Sequence, residues 1–137
     1  MGTVYAEIRL ANAVDSGNAK NGLITEQEVR SITVTALVDT GASSIIFNEE
    51  LRQKLGLGII EERSARVADG RHVTIYKTDT VDIYWKDRHW ACPAFVIPNA
   101  KTVLLGVIPL EGMDLMINPK TQELEGAHGD VQEVMAL

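Results

Sequence analysis

The chain of 137 residues has a single cysteine, few aromatic residues (5%) and no surplus of positive charge. One thiol, Cys92, cannot form an internal disulfide bond or half of a Cys-x-x-Cys metal site. The net charge of −6 argues against nucleic acid as a partner, because phosphate binding needs clustered lysine and arginine. No apolar run approaches the roughly 18 residues of a membrane span, and the N-terminus lacks the basic, apolar start of a secretory signal. These absences predict one cytoplasmic domain over residues 1–137, without a membrane partner.

What dominates instead is alternation of apolar and polar residues, which predicts a mostly β structure. A helix is predicted at 48–56, where Asn48 is a suitable N-cap and Gly56 ends the pattern. The segment 12–22 is rich in Asn, Gly, Asp and Ser and predicts a flexible loop. Strands are predicted at 4–10, 32–38, 45–47, 65–68, 72–76, 81–85, 89–97, 103–105, 115–117 and 122–124, and a helical turn at 109–113.

The most informative residue is Asp39, which follows a β-branched strand and opens the tripeptide Asp39-Thr40-Gly41. A carboxylate directly after an apolar strand is costly to bury unless neighbouring groups satisfy it. Thr40 offers a hydroxyl that donates and accepts, and Gly41 lets the backbone approach the carboxylate closely. The tripeptide alone is more often an ordinary turn, because short matches arise by chance. Its context therefore decides its meaning.

That context has two parts: the turn at 39–42 lies between apolar strands within 36–46, and a later apolar segment ends in Leu104-Leu105-Gly106. The pair resembles the retropepsin-like aspartic proteases, single-domain relatives of pepsin, over roughly Val29 to Leu124. The resemblance implies an all-β fold, a closed β-barrel with one or two short helices, that acts as a homodimer. It implies that the enzyme is an aspartic endopeptidase needing no metal and no organic cofactor. Consistent with this, His72, His89 and His128 lack the spacing of metal ligands.

The resemblance also assigns roles to individual residues. It implies that Asp39 is the catalytic carboxylate and that Thr40 hydrogen-bonds across the two-fold axis. Gly41 is expected to donate its backbone N–H toward the carboxylates, and Ala42 to line the cleft. The segment that threads past the turn is expected to support it, and consists of Leu104, Leu105 and Gly106.

The chemistry requires two copies of so short a chain. Peptide hydrolysis by this route needs two carboxylates about 3 Å apart that share one proton. One chain supplies Asp39 alone, so a homodimer that pairs Asp39 with its counterpart is expected. A second tripeptide, Asp15-Ser16-Gly17, is rejected as the other carboxylate, because no apolar strand follows it and the chain is too short for two lobes. The expected partners are thus a second copy and a peptide substrate.

A mobile hairpin, the flap, covers the cleft in this family, and the hairpin tipped by Asp69-Gly70 occupies the corresponding place in the order of elements. Asp-Gly predicts a two-residue turn there. The alternative is an ordinary surface hairpin. The cleft walls are expected to include Ile45, Val67, Val73 and Ile108, which would favour apolar side chains at the cut.

The chain departs from the retroviral pattern at two positions. Retroviral members have an acidic residue where this chain has Ser43 and an arginine where it has Val107, so the sequence looks closer to bacterial and archaeal members. The C-terminal tail 126–137 is polar and then apolar, and whether it joins the dimer interface is left open. The alternative function is a catalytically silent, dimeric peptide-binding or scaffold domain of the same fold.

Overall fold

The computed structural model describes residues 3–129, and the end of the predicted tail, 130–137, lies outside the described residues. These residues form nine strands and three α-helices, together with a 3-10 turn at Glu26–Glu28. The strands are β1 (Tyr5–Asn12), β2 (Ser31–Val38), β3 (Ile45–Phe47), β4 (Ile59–Arg66), β5 (His72–Trp85), β6 (Arg88–Val96), β7 (Val103–Leu105), β8 (Leu115–Asn118) and β9 (Glu123–Gly126). The helices are α1 (Ala13–Lys20), α2 (Glu49–Leu55) and α3 (Val107–Gly112).

Six strands close into a barrel in the order β1, β2, β7, β3, β6, β5 and back to β1. The strand β4 lies outside this ring and pairs only with the first half of β5, so the two form a projecting hairpin. The strands β8 and β9 form a separate hairpin after α3. The expected all-β closed barrel with few short helices is therefore confirmed.

The barrel is filled by the alternate, apolar residues of its strands. Ile8 and Leu10 of β1, Ile45 and Phe47 of β3, and Leu105 of β7 are all almost completely removed from solvent. Burying each such side chain contributes about 1.5–3 kcal/mol relative to leaving it in water. The interior of the barrel is thus a packed core rather than a cavity, and ligands must bind at its rim.

The helix α2 forms as its local signals predict. The Asn48 side chain accepts a hydrogen bond from the Leu51 N–H at 2.9 Å, which satisfies one of the free donors of the first turn. Gly56 follows the helix with a φ of +65°, a left-handed conformation that glycine adopts without strain. Leu51 and Leu55 share the buried face and pack into the core.

The prediction of a loop at 12–22 was wrong, because residues 13–20 form α1. The polar residues that favour a loop by composition here serve as a cap and an anchor. Asn12 accepts the N–H of Asp15 at 3.0 Å and donates its amide to the Leu55 carbonyl at 2.9 Å. Asp15 accepts the Arg30 guanidinium at 2.8 and 3.0 Å, so contacts with distant residues hold a segment of weak helix propensity in a helix.

The hairpin of β8 and β9 is fastened to the barrel by Arg88, which is only 4% exposed. Its guanidinium donates to the carbonyls of Met113, Asp114 and Gly129 at 2.7–2.9 Å. The bonds to Met113 and Asp114 satisfy acceptors just beyond α3, and the bond to Gly129 ties down the chain after β9. Within residues 3–129, no helix has both the length and the apolar character needed to cross a bilayer.

Candidate active site

Asp39 lies directly after β2, at the point where the chain leaves the barrel wall. Its backbone N–H donates to the Leu105 carbonyl at 3.0 Å, which continues the pairing of β2 with β7 by one residue. Its carboxylate accepts the Gly41 N–H at 2.9 Å, and its carbonyl accepts the Ala42 N–H at 3.1 Å. The turn at 39–42 therefore fixes the carboxylate by local bonds and anchors its backbone to a neighbouring strand.

The loop after Asp39 is locked to the segment that follows β7. Three backbone N–H groups, those of Gly106, Val107 and Ile108, donate to the carbonyls of Ser44, Ala42 and Ser43, each at 2.9 Å. The crossing is so close that a Cβ on Gly106 would lie 2.5 Å from the Ala42 and Ser44 carbonyl oxygens. Only glycine fits without displacing one of the loops.

The strand β7 lies between β2 and β3 and carries the predicted supporting residues. Leu104 pairs with Leu37 on one side and Ile46 on the other, while Leu105 pairs with Val38 and Ile45. The structure thus brings Leu104, Leu105 and Gly106 against the Asp39 turn, as the sequence predicted. Their support of catalysis remains a prediction.

Asp39 and Thr40 line a groove of about 670 Å³ at the rim of the barrel. Its apolar wall includes Leu37, Met116 and Ile117, and Met116 is 42% exposed. The β8–β9 hairpin supplies the last two of these residues. Sequence reasoning predicted that hairpin but not its position beside Asp39, because no local signal relates the two segments.

The hairpin of β4 and β5 ends in a three-residue turn, Ala68-Asp69-Gly70, rather than the predicted two-residue Asp-Gly turn. The Gly70 N–H donates to the Val67 carbonyl and the Val67 N–H to the Arg71 carbonyl, both at 2.9 Å. Gly70 has a φ of +87°, so the predicted need for glycine is confirmed at that position. We call this hairpin, residues 59–77, the flap hairpin; that it covers a substrate stays a prediction.

The flap hairpin has two distinct faces. The face that contains Tyr76 continues the barrel interior, because Tyr76 packs against the core and pairs with the fully buried Val96. We call this the inner face. The opposite, outer face contains Lys77, which pairs with Phe95 on the outside of the barrel wall.

One extra residue in β5, between Lys77 and Thr80, reverses the alternation of that strand. Val81 and Ile83 point into the core after the bulge, whereas Tyr76 does so before it. Val73 pairs with Ala65 on the outer face, and Val67 follows in the same alternation. Neither Val67 nor Val73 lines the groove beside Asp39, and that they wall a substrate cleft stays a prediction.

Of the other predicted cleft walls, Ile45 is fully buried in the core and cannot contact a ligand. The prediction that Ile45 walls the cleft was wrong, because its side chain packs inside the barrel core. Ile108 is 48% exposed and its N–H bonds the loop at Ser43, so it lies beside the Asp39 turn.

In the second tripeptide, Asp15-Ser16-Gly17, the carboxylate is bonded to Arg30. Asp15 lies in the first turn of α1 and forms an ion pair with Arg30 at 2.8 Å. The side-chain hydrogen bond from Arg30 holds the pKa of Asp15 below its ordinary value. Within the described part of the chain, no cluster of three or more His, Cys, Asp or Glu side chains is arranged to hold a metal ion.

Comparison with known proteins assigns the chain to a family. The model of the family described as "gag-polyprotein putative aspartyl protease" matches residues 25–112, more than half of the chain. Among solved structures, a retropepsin-like aspartic protease from Rickettsia conorii superposes with a TM-score of 0.53 at 21% identity, over 85% of each chain. That likeness establishes the fold, and no curated protein sequence matches the chain. The chain belongs to the gag-type aspartyl protease family and has the retropepsin-like fold.

Proposed function

We propose that this protein is an aspartic endopeptidase that hydrolyses peptide bonds as a homodimer, with Asp39 from each copy forming the catalytic pair. One observation carries the proposal. The Asp39 carboxylate lies at the edge of a groove, held by the Gly41 N–H at 2.9 Å within a turn that two loops lock in place. A fixed carboxylate beside a groove is suited to acid–base chemistry on a bound peptide.

The second carboxylate must come from another copy of the chain. Asp15, which opens the other tripeptide of this form, is committed to Arg30 and lies in a helix. A two-fold axis beside Asp39 would bring two identical carboxylates together, and like charges that close share one proton. The exposed Met116 borders the same groove, so the β8–β9 hairpin is available to the proposed interface.

The proposed reaction uses the two carboxyl groups in opposite protonation states. The ionised group takes a proton from water as the oxygen attacks the scissile carbonyl carbon, and the protonated group donates its proton to the carbonyl oxygen. Collapse of the tetrahedral intermediate breaks the C–N bond and transfers a proton to the leaving amine. Because one shared proton is required, cleavage is expected at mildly acid pH.

The departures from the retroviral pattern support a closer relation to bacterial members. Ser43 and Val107 take part through backbone bonds alone, with the Ser43 carbonyl accepting the Ile108 N–H and the Val107 N–H donating to Ala42. No charged side chain is needed for this loop contact. We place the activity in the cytoplasm, where the single, buried Cys92 is compatible with reducing conditions.

The test compares Asp39→Asn with Asp87→Asn, which removes the same charge from an exposed turn. We expect wild type and Asp87→Asn to cleave an unstructured protein at mildly acid pH and Asp39→Asn to lose at least about 10³-fold in kcat/KM, as when an acid–base group is removed. Light scattering should give twice the chain mass of 15.0 kDa for all three proteins. Dimers without cleavage would favour the scaffold function, and a monomeric wild type would refute the proposed pair.

A further inference from the structure

The inner face of the flap hairpin is polar, whereas the outer face contains the apolar residues Val73 and Ile75. It consists of three directly opposed pairs: Arg66 with His72, Ser64 with Thr74, and Glu62 with Tyr76. All but Tyr76 are exposed, whereas Val73 and Ile75 on the outer face are half-buried. The face of the flap hairpin that continues the barrel interior therefore carries hydrogen-bonding and charged groups.

Arg66 differs from the other cations of the flap hairpin in having no carboxylate partner among the described residues. On the outer face, Arg63 and Lys77 pair with Glu61 at 2.9 and 3.9 Å. At the tip, Arg71 pairs with Asp69 at 2.6 Å. Arg63, Lys77 and Arg71 thus each have a carboxylate within 4 Å, whereas Arg66 has none among the described residues.

The position of Arg66 does not stabilise the hairpin by itself. Its directly opposed residue is His72, and two basic groups opposite each other are unfavourable whenever both are charged. Glu62 lies on the same face but four residues away, about 13 Å along an extended strand. In keeping with that backbone separation, Glu62 and Arg66 form no ion pair among the described residues.

We propose that Arg66, assisted by His72, selects peptides with an acidic side chain at the substrate position under the flap tip. The inference rests on the proposed function and names a substrate class for the same site. A guanidinium binds a carboxylate through paired N–H donors, and an incoming glutamate or aspartate supplies the missing counter-charge. This preference replaces the apolar one expected from Val67 and Val73 at this position.

The experiment uses two sets of peptides that share one parent sequence. In the first set glutamate replaces each residue flanking the cut in turn, and in the second set glutamine does. It is run at about pH 6, where a peptide glutamate is ionised. The measured quantity is the Glu-to-Gln ratio of kcat/KM for cleavage by wild type. The same ratio is measured for binding to Asp39→Asn by fluorescence anisotropy, so that the result does not depend on turnover.

We expect wild type to favour glutamate by about two- to fivefold at one position, the range for an ion pair that remains partly in water. Arg66→Gln should bring that ratio to 1, and Arg66→Lys should retain part of it. Arg63→Gln is the matched control, because it removes the same charge from the same hairpin on the outer face. It should leave the ratio unchanged, and added salt should lower the wild-type ratio.

A ratio of 1 at every position in wild type would overturn the inference, as would an equal loss in Arg63→Gln and Arg66→Gln. A different result would be that no peptide is cleaved, while binding still prefers glutamate and Arg66→Gln removes that preference. It would reject the proposed endopeptidase activity and support the recognition of acidic peptides. Absence of binding to either peptide set would reject the inference as well.

Discussion

Substituting Gly106 with alanine adds one methyl group where the loop after Asp39 crosses the segment after β7. The new Cβ would lie 2.5 Å from the carbonyl oxygens of both Ala42 and Ser44. Gly106 has a φ of −93°, which any residue adopts, so the requirement for glycine is one of space. The Gly106 N–H also donates to the Ser44 carbonyl oxygen. The added methyl group would therefore push away the same oxygen that this hydrogen bond holds.

The magnitude follows from this geometry. An ordinary carbon–oxygen contact needs about 3.3 Å, so the loops must separate by about 0.8 Å. Overpacking of this kind costs about 1–3 kcal/mol, and each of the hydrogen bonds between the loops that breaks adds about 1 kcal/mol. We therefore expect Gly106→Ala to lower the free energy of unfolding by about 2–4 kcal/mol. A shift of Asp39 approaching 1 Å would reduce kcat/KM on the order of 100-fold.

The matched control is Gly17→Ala, the same chemical change at a site with nothing within 4 Å of the added Cβ. Because Gly17 lies inside α1, alanine should stabilise the protein by roughly 0.5–1 kcal/mol. Urea unfolding followed by circular dichroism measures both variants, with peptide cleavage as the second readout. Equal midpoints for Gly106→Ala and wild type would refute the close crossing described above, and full activity in Gly106→Ala would refute the predicted shift of Asp39.

Two further predictions concern buried groups outside the site. Asp15→Asn should lower the free energy of unfolding at neutral pH by about 1–2 kcal/mol, since the charged hydrogen bonds from Arg30 are lost. Because Arg30 lowers the pKa of Asp15 from 3.8, this stabilisation is present above pH 3.8 and is lost as the pH falls through the pKa of Asp15 in the folded protein. The thermal unfolding temperatures of Asp15→Asn and wild type should therefore converge on acidification. A difference between them that stays constant with pH would contradict the ion pair. Burial raises the pKa of Cys92 to about 11, so a thiol reagent at about pH 8 should react only after unfolding, and rapid reaction of the native protein would show that the strand opens.

Local signals in the sequence were sufficient for much of the fold. The caps of α2 at Asn48 and Gly56, the strands and the placement of Asp39 at a strand end all depend on residues adjacent in the chain. The position of Leu104 and Leu105 beside that turn came from the resemblance to a family rather than from any local signal. In the structure that position follows from the pairing of β7 between β2 and β3.

Contacts between distant residues decided what local signals could not. The segment 12–22 has a loop-like composition, yet it forms a helix because Asn12 and Asp15 find their partners at Leu55 and Arg30. The buried Arg88 likewise has no sequence signature, because its acceptors are the carbonyls of segments more than 20 residues away. Such bonds form only once the barrel has brought the segments together.

The sequence by itself determined a mostly β chain with a carboxylate directly after a strand, because alternation and turn chemistry are local properties of the chain. The closed barrel was implied by the resemblance to a family. Only the tertiary structure decided on which face of the flap hairpin each residue lies. Strict alternation extended back from Val81 would place Val73 on the inner face, but the single-residue bulge before Thr80 reverses the strand and puts Arg66 and His72 there instead. A bulge is set by pairing with the neighbouring strand, and the sequence of β5 alone does not show that pairing.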